Sequence, residues 1–348
     1  MGFPEVDLGV NITDCAAAIC VNNCDRKADC DPGGFGKGFD IPLGVYTYIN
    51  FVFASINPVT FDLVPAAKAD IDLYTRMAAF KGRDPRLKVM IAVGGWTFND
   101  PGPMVTTFSD IAWDEAAQRK FIDSVKRFLQ TYNFDGIDLD WEYPGAPDRN
   151  GRGEDFANFP KFIKRLREGL KGYEVSITLP AFFWYLQHFD IKNLEPHVDF
   201  FNMMTYDFHG VWDKPNKWVT LGLAFYARGF VASSASCLAP GCTFESGTAV
   251  QICSNEPTLN QNATVKILTW GGNNWLTYDD EKTLKMKRDF ARSQCLGGVM
   301  VWAISHDTKD AKYSKALGRA APRLFPLPNS LYTQPHHTID ITEQPQYI

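Results

Sequence analysis

Histidine is scarce in this chain, six in 348 residues, and no two of its cysteines form a Cys-x-x-Cys pair. No histidine is interleaved with the cysteines either. The pattern that holds structural zinc is therefore missing, and no metal or other cofactor is expected. No basic block occurs, and the formal net charge is -5. Nothing here neutralises a phosphate backbone, so nucleic acid is excluded as an expected partner. No apolar run reaches membrane-spanning length, and no membrane partner is expected. Met1 to Val10 also lacks the positive start and apolar stretch of a secretory leader.

What is present points to an oxidising compartment. The 8 cysteines fall in two local groups: Cys15, Cys20, Cys24 and Cys30, then Cys237, Cys242, Cys253 and Cys295. An even number in tight clusters reads as disulfides. Two glycosylation sequons, Asn11-Ile12-Thr13 and Asn262-Ala263-Thr264, agree with an extracellular location. Aromatic residues are plentiful, with 9 Trp, 13 Tyr and 26 Phe. Such rings suit sugar faces, and they also fill cores.

Along the chain, residues 1–44 form an irregular cysteine-rich segment, and residues 321–348 a polar tail. Between them, at 45–320, short β-branched or aromatic runs alternate with helical patterns. The runs are Tyr48–Ser55, Leu87–Val93, Gly136–Trp141, Glu174–Leu179, Phe200–Tyr206, Val219–Tyr226 and Gly297–Trp302. Helical spacing occupies 66–80, 115–131, 155–171 and 280–293. This alternation predicts an α/β fold with a parallel sheet, of the TIM (β/α)8 barrel type. Residues 228–275 break the rhythm and predict a short α+β-type insertion.

The chemistry centres on Phe134-Asp135-Gly136-Ile137-Asp138-Leu139-Asp140-Trp141-Glu142-Tyr143-Pro144. In a strand, residues two apart share a face, so Asp138, Asp140 and Glu142 point one way and Ile137, Leu139 and Trp141 the other. Three carboxylates together in a poorly solvated site cannot all ionise, and at least one must hold a proton. That is the condition a general acid needs near neutral pH. A calcium loop also gathers acids, but no glutamate stands at the twelfth position that such a loop requires.

Asp135-x-x-Asp138-x-Asp140-x-Glu142 resembles the signature of glycoside hydrolase family 18, the chitinases and their relatives. Further segments resemble that family in order: Val93-Gly94-Gly95-Trp96, Met203-Met204-Thr205-Tyr206-Asp207, Gly222 to Phe230 (with Ala227 where the family has glycine), and Gly298 to Ala303. The likeness is greatest to the fungal class V branch with upstream chitin-binding modules, and Asn23 to Phe35 resembles sequence that precedes such a module.

The resemblance implies endo-hydrolysis of β-1,4-linked N-acetylglucosamine polymers, with chitin or chitooligosaccharide as partner and the protein a monomer. It implies that Glu142 is the acid/base, Asp140 turns to the substrate's N-acetyl group, Asp138 supports Asp140, and Tyr206 hydrogen-bonds the acetamido oxygen. Trp302 would floor the reacting sugar. Met204, Asp207, Arg228, Tyr143, Trp96, Gly95 and Trp184 are the further substrate-binding candidates. Each also has a bland alternative, Tyr206 and Trp302 as core aromatics and Arg228 as a surface ion-pair partner.

Departures from the family pattern carry expectations of their own. No first barrel strand is legible before Tyr48, and the stretch from Asp207 to Val219 leaves marginal room for a crossover helix and shows no helical pattern. The expectation is a barrel short of a strand, with exposed edges and lowered stability. Two other readings stay open beside the chitinase: a catalytically impaired, lectin-like chitin binder and an endo-β-N-acetylglucosaminidase.

Overall fold

Five of the seven β-branched and aromatic runs pair into one sheet. The computed structural model describes residues 41–206, 223–238, 242–247, 256–294, 296–308 and 310–321. Strands β1 (Tyr48–Ile56), β3 (Lys88–Gly94), β4 (Gly136–Asp140), β5 (Glu174–Pro180) and β6 (Phe200–Met204) run parallel. A short strand β2 (Leu63–Pro65) returns antiparallel along β1, giving the order β2-β1-β3-β4-β5-β6. Four helices follow the strands: α1 (Asp70–Arg83), α2 (Thr107–Trp113), α3 (Glu115–Tyr132) and α4 (Asp155–Gly169).

Local sequence explains the boundaries. Helix α3 starts where the Asp114 carboxylate accepts from the Ala117 N–H at 2.6 Å and stops where Asn133 turns left-handed. Its buried side is Ala117, Phe121, Ile122, Val125, Phe128 and Leu129, three or four residues apart. These side chains meet Val89, Ile91, Val93, Ile137, Leu139, Val175 and Ile177 on the outer face of the sheet, forming the main core. The opposite, inner face carries Ala92, Asp138 and Ser176 in one register and Thr178 beside Asn202 in the next. One face is thus apolar and packed, and the other is small and polar.

The sheet is strongly curled. Tyr48 opens β1 and Phe200 opens β6, with three strands between them, yet their ring centroids are 4.7 Å apart. In a flat sheet four strand steps would separate them by roughly 19 Å. The barrel type expected, short of a strand, is not closed among the described residues. The expected strands Val219–Tyr226 and Gly297–Trp302 contribute a single parallel bridge, Ala224 to Trp302, and the first part of the former run lies outside the described residues. Closure requires a hydrogen-bonded partner on every edge. Here the outer edge of β6 and most of β1's outer edge find none among the described strands.

The insertion differs from its expected α+β character. Its described residues form only strands: β7 (Arg228–Ala232), β8 (Phe244–Gly247), β9 (Thr258–Asn260), β10 (Val265–Trp270) and β11 (Asn274–Tyr278), antiparallel in the order β8-β7-β11-β10-β9. The strand-forming residues Val265, Ile267, Trp270, Trp275 and Thr277 explain this. A disulfide joins Cys237 to Cys242 beside this sheet.

Short helices α5 (Phe183–Leu186) and α6 (Ile191–Leu194) follow β5, and α7 (Glu281–Ser293) and α8 (Lys312–Ala320) follow the insertion. Leu223, Phe225, Leu284, Ala316 and Leu317 make a second, smaller core beneath them. No described helix is long and apolar enough to cross a membrane. The cysteine-rich segment up to residue 40, the tail from 322, the expected gap after Asp207 and the remaining cysteines lie outside the described residues.

Candidate active site

Strand β4 lies inside the curled sheet and carries Asp138 and Asp140, with Glu142 just past its end. Asp138, Asp140 and Glu142 are all buried, at 2%, 7% and 7% exposure, so none is a solvated surface carboxylate. Their alternation with Ile137, Leu139 and Trp141, which are packed in the main core, follows the sequence reading.

Asp138 is the best satisfied of the three. Its carboxylate accepts from the hydroxyls of Ser176 and Thr178 on β5, the latter at 2.8 Å, and from the Asn202 amide on β6 at 3.0 Å. Burial pushes its pKa up, while these three donors pull it back down. Asp140 is held well above the ordinary carboxylate range, first by burial, then by the charges of Glu142 and Asp138. Its Oδ1 is buried with no hydrogen-bond partner. A buried acceptor that the protein gives no donor is costly unless the N–H of a ligand meets it.

The walls come from neighbouring strand ends. Gly95 donates its N–H to the Asp140 carbonyl at 2.8 Å. A Cβ on Gly95 would stand 2.8 Å from the Phe53 ring, so the residue acts by leaving space rather than by presenting a side chain. Phe53 in turn faces Trp302, centroid to centroid 6.0 Å. Tyr206 and Tyr226 meet edge to face at 6.4 Å, and Tyr226 meets His306 at 5.8 Å. Met204 ends β6, half-buried against the main core.

On the other side, Tyr143 is buried and stacks on Tyr185 at 4.1 Å. Burial and the Glu142 charge push its hydroxyl far up, so it stays protonated. The Tyr185 hydroxyl is pushed up to about 12, by burial and then by its hydrogen bond to Asp148. Trp96, 38% exposed, meets Tyr143 edge to face at 6.4 Å. Trp184 stands out in solvent beside Phe182 and Phe183 at the start of α5, which follows β5. Asp207 and the Arg228 side chain lie outside the described residues. Three non-proline peptide bonds are cis: Val52-Phe53, Glu142-Tyr143 and Trp302-Ala303.

Several site residues escaped the sequence reading. Ser176, Thr178 and Asn202 are polar positions on the inner face, and the alternation Val175-Ser176-Ile177-Thr178-Leu179 carries the signal that would have found them. Arg149, Phe53 and Asp155 had no such signal. Asp155 is buried and accepts from the Ser109 hydroxyl at 2.9 Å, the Gly145 N–H at 3.2 Å and the Arg152 N–H at 2.7 Å, which pins the loop after Glu142. Asp135, the first acid of the motif, has a packing role: it accepts from the Val89 N–H at 2.8 Å and pairs with Lys81 at 3.2 Å.

Comparison with known proteins places the chain among relatives of one family. A probable endochitinase of Caenorhabditis elegans is 26% identical over 358 residues, covering 81% of this chain and 55% of that protein. Chitinase A1 of Niallia circulans is 30% identical over 304 residues, covering 68% of this chain and 43% of that protein. The chain thus spans about half the length of these relatives. The crystal structure of the Ostrinia furnacalis Group IV chitinase superposes with a TM-score of 0.69 at 22% identity, over 81% of this chain and 93% of that one, a likeness of fold. The profile described as Glycosyl hydrolases family 18 matches residues 25–307, and the chain belongs to that family.

Proposed function

We propose that this chain is a chitinase, cleaving β-1,4-linked N-acetylglucosamine polymers internally by a substrate-assisted, retaining mechanism. The observation that carries the reading is the buried row of Asp138 and Asp140 on the inner face of β4 with Glu142 just past its end, in which Asp140 keeps an unpartnered acceptor oxygen.

In this mechanism the acetamido oxygen of the bound sugar attacks its own anomeric carbon. The bond to the leaving sugar breaks as Glu142 protonates the departing oxygen. Asp140 accepts the acetamido N–H on its free oxygen and balances the positive oxazolinium that forms. Asp138, fixed by three donors, stands behind Asp140 and holds or exchanges a proton with it, so the acids titrate as one coupled set. Water then attacks the anomeric carbon, giving its proton to the Glu142 carboxylate and displacing the acetamido oxygen, which restores the N-acetyl group and leaves the configuration retained. Tyr206 steadies the acetamido oxygen, Trp302 floors the sugar, and Met204, Asp207, Arg228, Tyr143, Trp96, Gly95 and Trp184 line its surroundings.

We take residues 45–320 as the catalytic unit, 228–275 as its shortened insertion, 1–44 as a remnant preceding a chitin-binding module of the fungal class V type, and 321–348 as a tail. Chitin or chitooligosaccharide is the substrate, and the protein acts as an extracellular monomer.

The test is hydrolysis of a chitin oligomer by the purified chain beside Glu142→Gln, with the anomer of the first product read by proton NMR. Turnover with initial β-anomer, lost by about 100-fold or more in the variant, is expected. A folded wild-type protein that binds the oligomer without cleaving it sinks the enzymatic reading.

A further inference from the structure

Arg149 is the buried cation nearest the acid in sequence, and its contacts converge on the site. It is 7% exposed, on the loop that follows β4. Its Nε donates to the main-chain carbonyl of Glu142 at 3.1 Å. One Nη donates to the main-chain carbonyl of Trp96, on the loop after β3. The other Nη pairs with the Asp100 carboxylate at 3.1 Å. Its guanidinium carbon lies 3.8 Å from the centre of the Trp96 ring. One rigid fork thus holds the main chain of the acid, the main chain of a wall residue and that residue's ring. A planar guanidinium can do all of this at once, and an ammonium cannot.

We infer that Arg149 is a positioning residue for hydrolysis: it locks the main chain at Glu142 to Trp96, so that the acid and the aromatic wall beside it keep one fixed spacing. The inference rests on the proposed chitinase reading. Nothing in it requires Arg149 to touch substrate. Its work is to set where the Glu142 carboxyl starts, and proton transfer to a leaving oxygen is sensitive to displacements of an ångström.

A mispositioned acid has a signature that general loosening lacks. It harms substrates whose leaving group needs a proton and spares those whose leaving group departs unaided. The experiment compares wild type, Arg149→Lys and Asp100→Asn on two substrates sharing the same chitobiosyl donor. In one the leaving group is a sugar hydroxyl, in the other a nitrophenolate. For R149K, kcat/KM, which reports the bond-breaking step and not the shared hydrolysis step in which Glu142 acts as base, is expected to fall about 100-fold on the sugar leaving group and no more than about tenfold on nitrophenolate, with KM rising on both as Trp96 loosens. D100N, altering a half-exposed partner, should show the same asymmetry in smaller measure, and serves where R149K melts too early. Equal losses on both substrates, or none, overturn the inference.

If the wild type turns over neither substrate, the chitinase reading falls instead. The clamp is then read by tryptophan emission, which R149K should shift in the wild-type background and leave unchanged in Trp96→Phe. An unshifted emission overturns the clamp as well.

Discussion

A Cβ placed on Gly94 would stand 2.0 Å from the carbonyl oxygen of Asp140. Gly94 has φ +115°, a conformation that side-chain-bearing residues rarely adopt. The last residue of β3 thus presses against the last residue of β4, bringing two strand ends together at the carboxylate row.

Gly94→Ala is therefore expected to lose on the order of 3 kcal/mol of stability, from left-handed strain and overpacking together. Denaturant titration measures the loss, and kcat should fall as Asp140 is displaced. A variant with wild-type stability would mean that β4 can yield without cost.

Asp140→Asn should stabilise the protein in a pH-dependent way. Burial, Glu142 and Asp138 raise the Asp140 pKa in the folded state. An acid raised on folding contributes stability below the ordinary carboxylate range, and this is lost as pH rises toward the folded value. The asparagine escapes that loss. Its melting temperature should exceed wild type at pH 7.5 and approach it at pH 4, while hydrolysis is lost. An equal difference at both pH values would refute the electrostatic account.

Ser176→Ala removes one of the three donors to Asp138. A buried carboxylate short of a donor should cost about 1–3 kcal/mol in unfolding free energy. A kcat lower by about tenfold is also expected, since Asp138 would hold its proton more firmly against Asp140. Wild-type kcat in a stable S176A would remove Asp138 from the proton exchange.

The sequence was most legible where periodicity is strict. The alternation in 136–142 placed the acids on one face and their apolar neighbours on the other, and both follow from the two-residue repeat of a strand. Helices α3 and α4 were legible from their 3.6-residue pattern, whereas α2 and α8, of seven and nine residues, are too short to establish one. Arg149 could not be found in advance. Its importance lies in which carbonyls a loop residue reaches, and side-chain reach across 53 residues of sequence leaves no periodic trace. The expected strand at Gly297–Trp302 was over-read: the run has strand composition, but a ladder also needs a neighbour in register, and only the bridge from Trp302 to Ala224 forms.

The central position of β4 has a consequence for motion. With β2, β1 and β3 on one side and β5 and β6 on the other, the strand that carries Asp138 and Asp140 is at least two ladders of hydrogen bonds away from either border of the sheet. Opening that starts at the borders must release those outer ladders before it reaches Asp138, so the amides of β4 belong to the slowest-exchanging part of the sheet. The borders can breathe while the carboxylates stay in place.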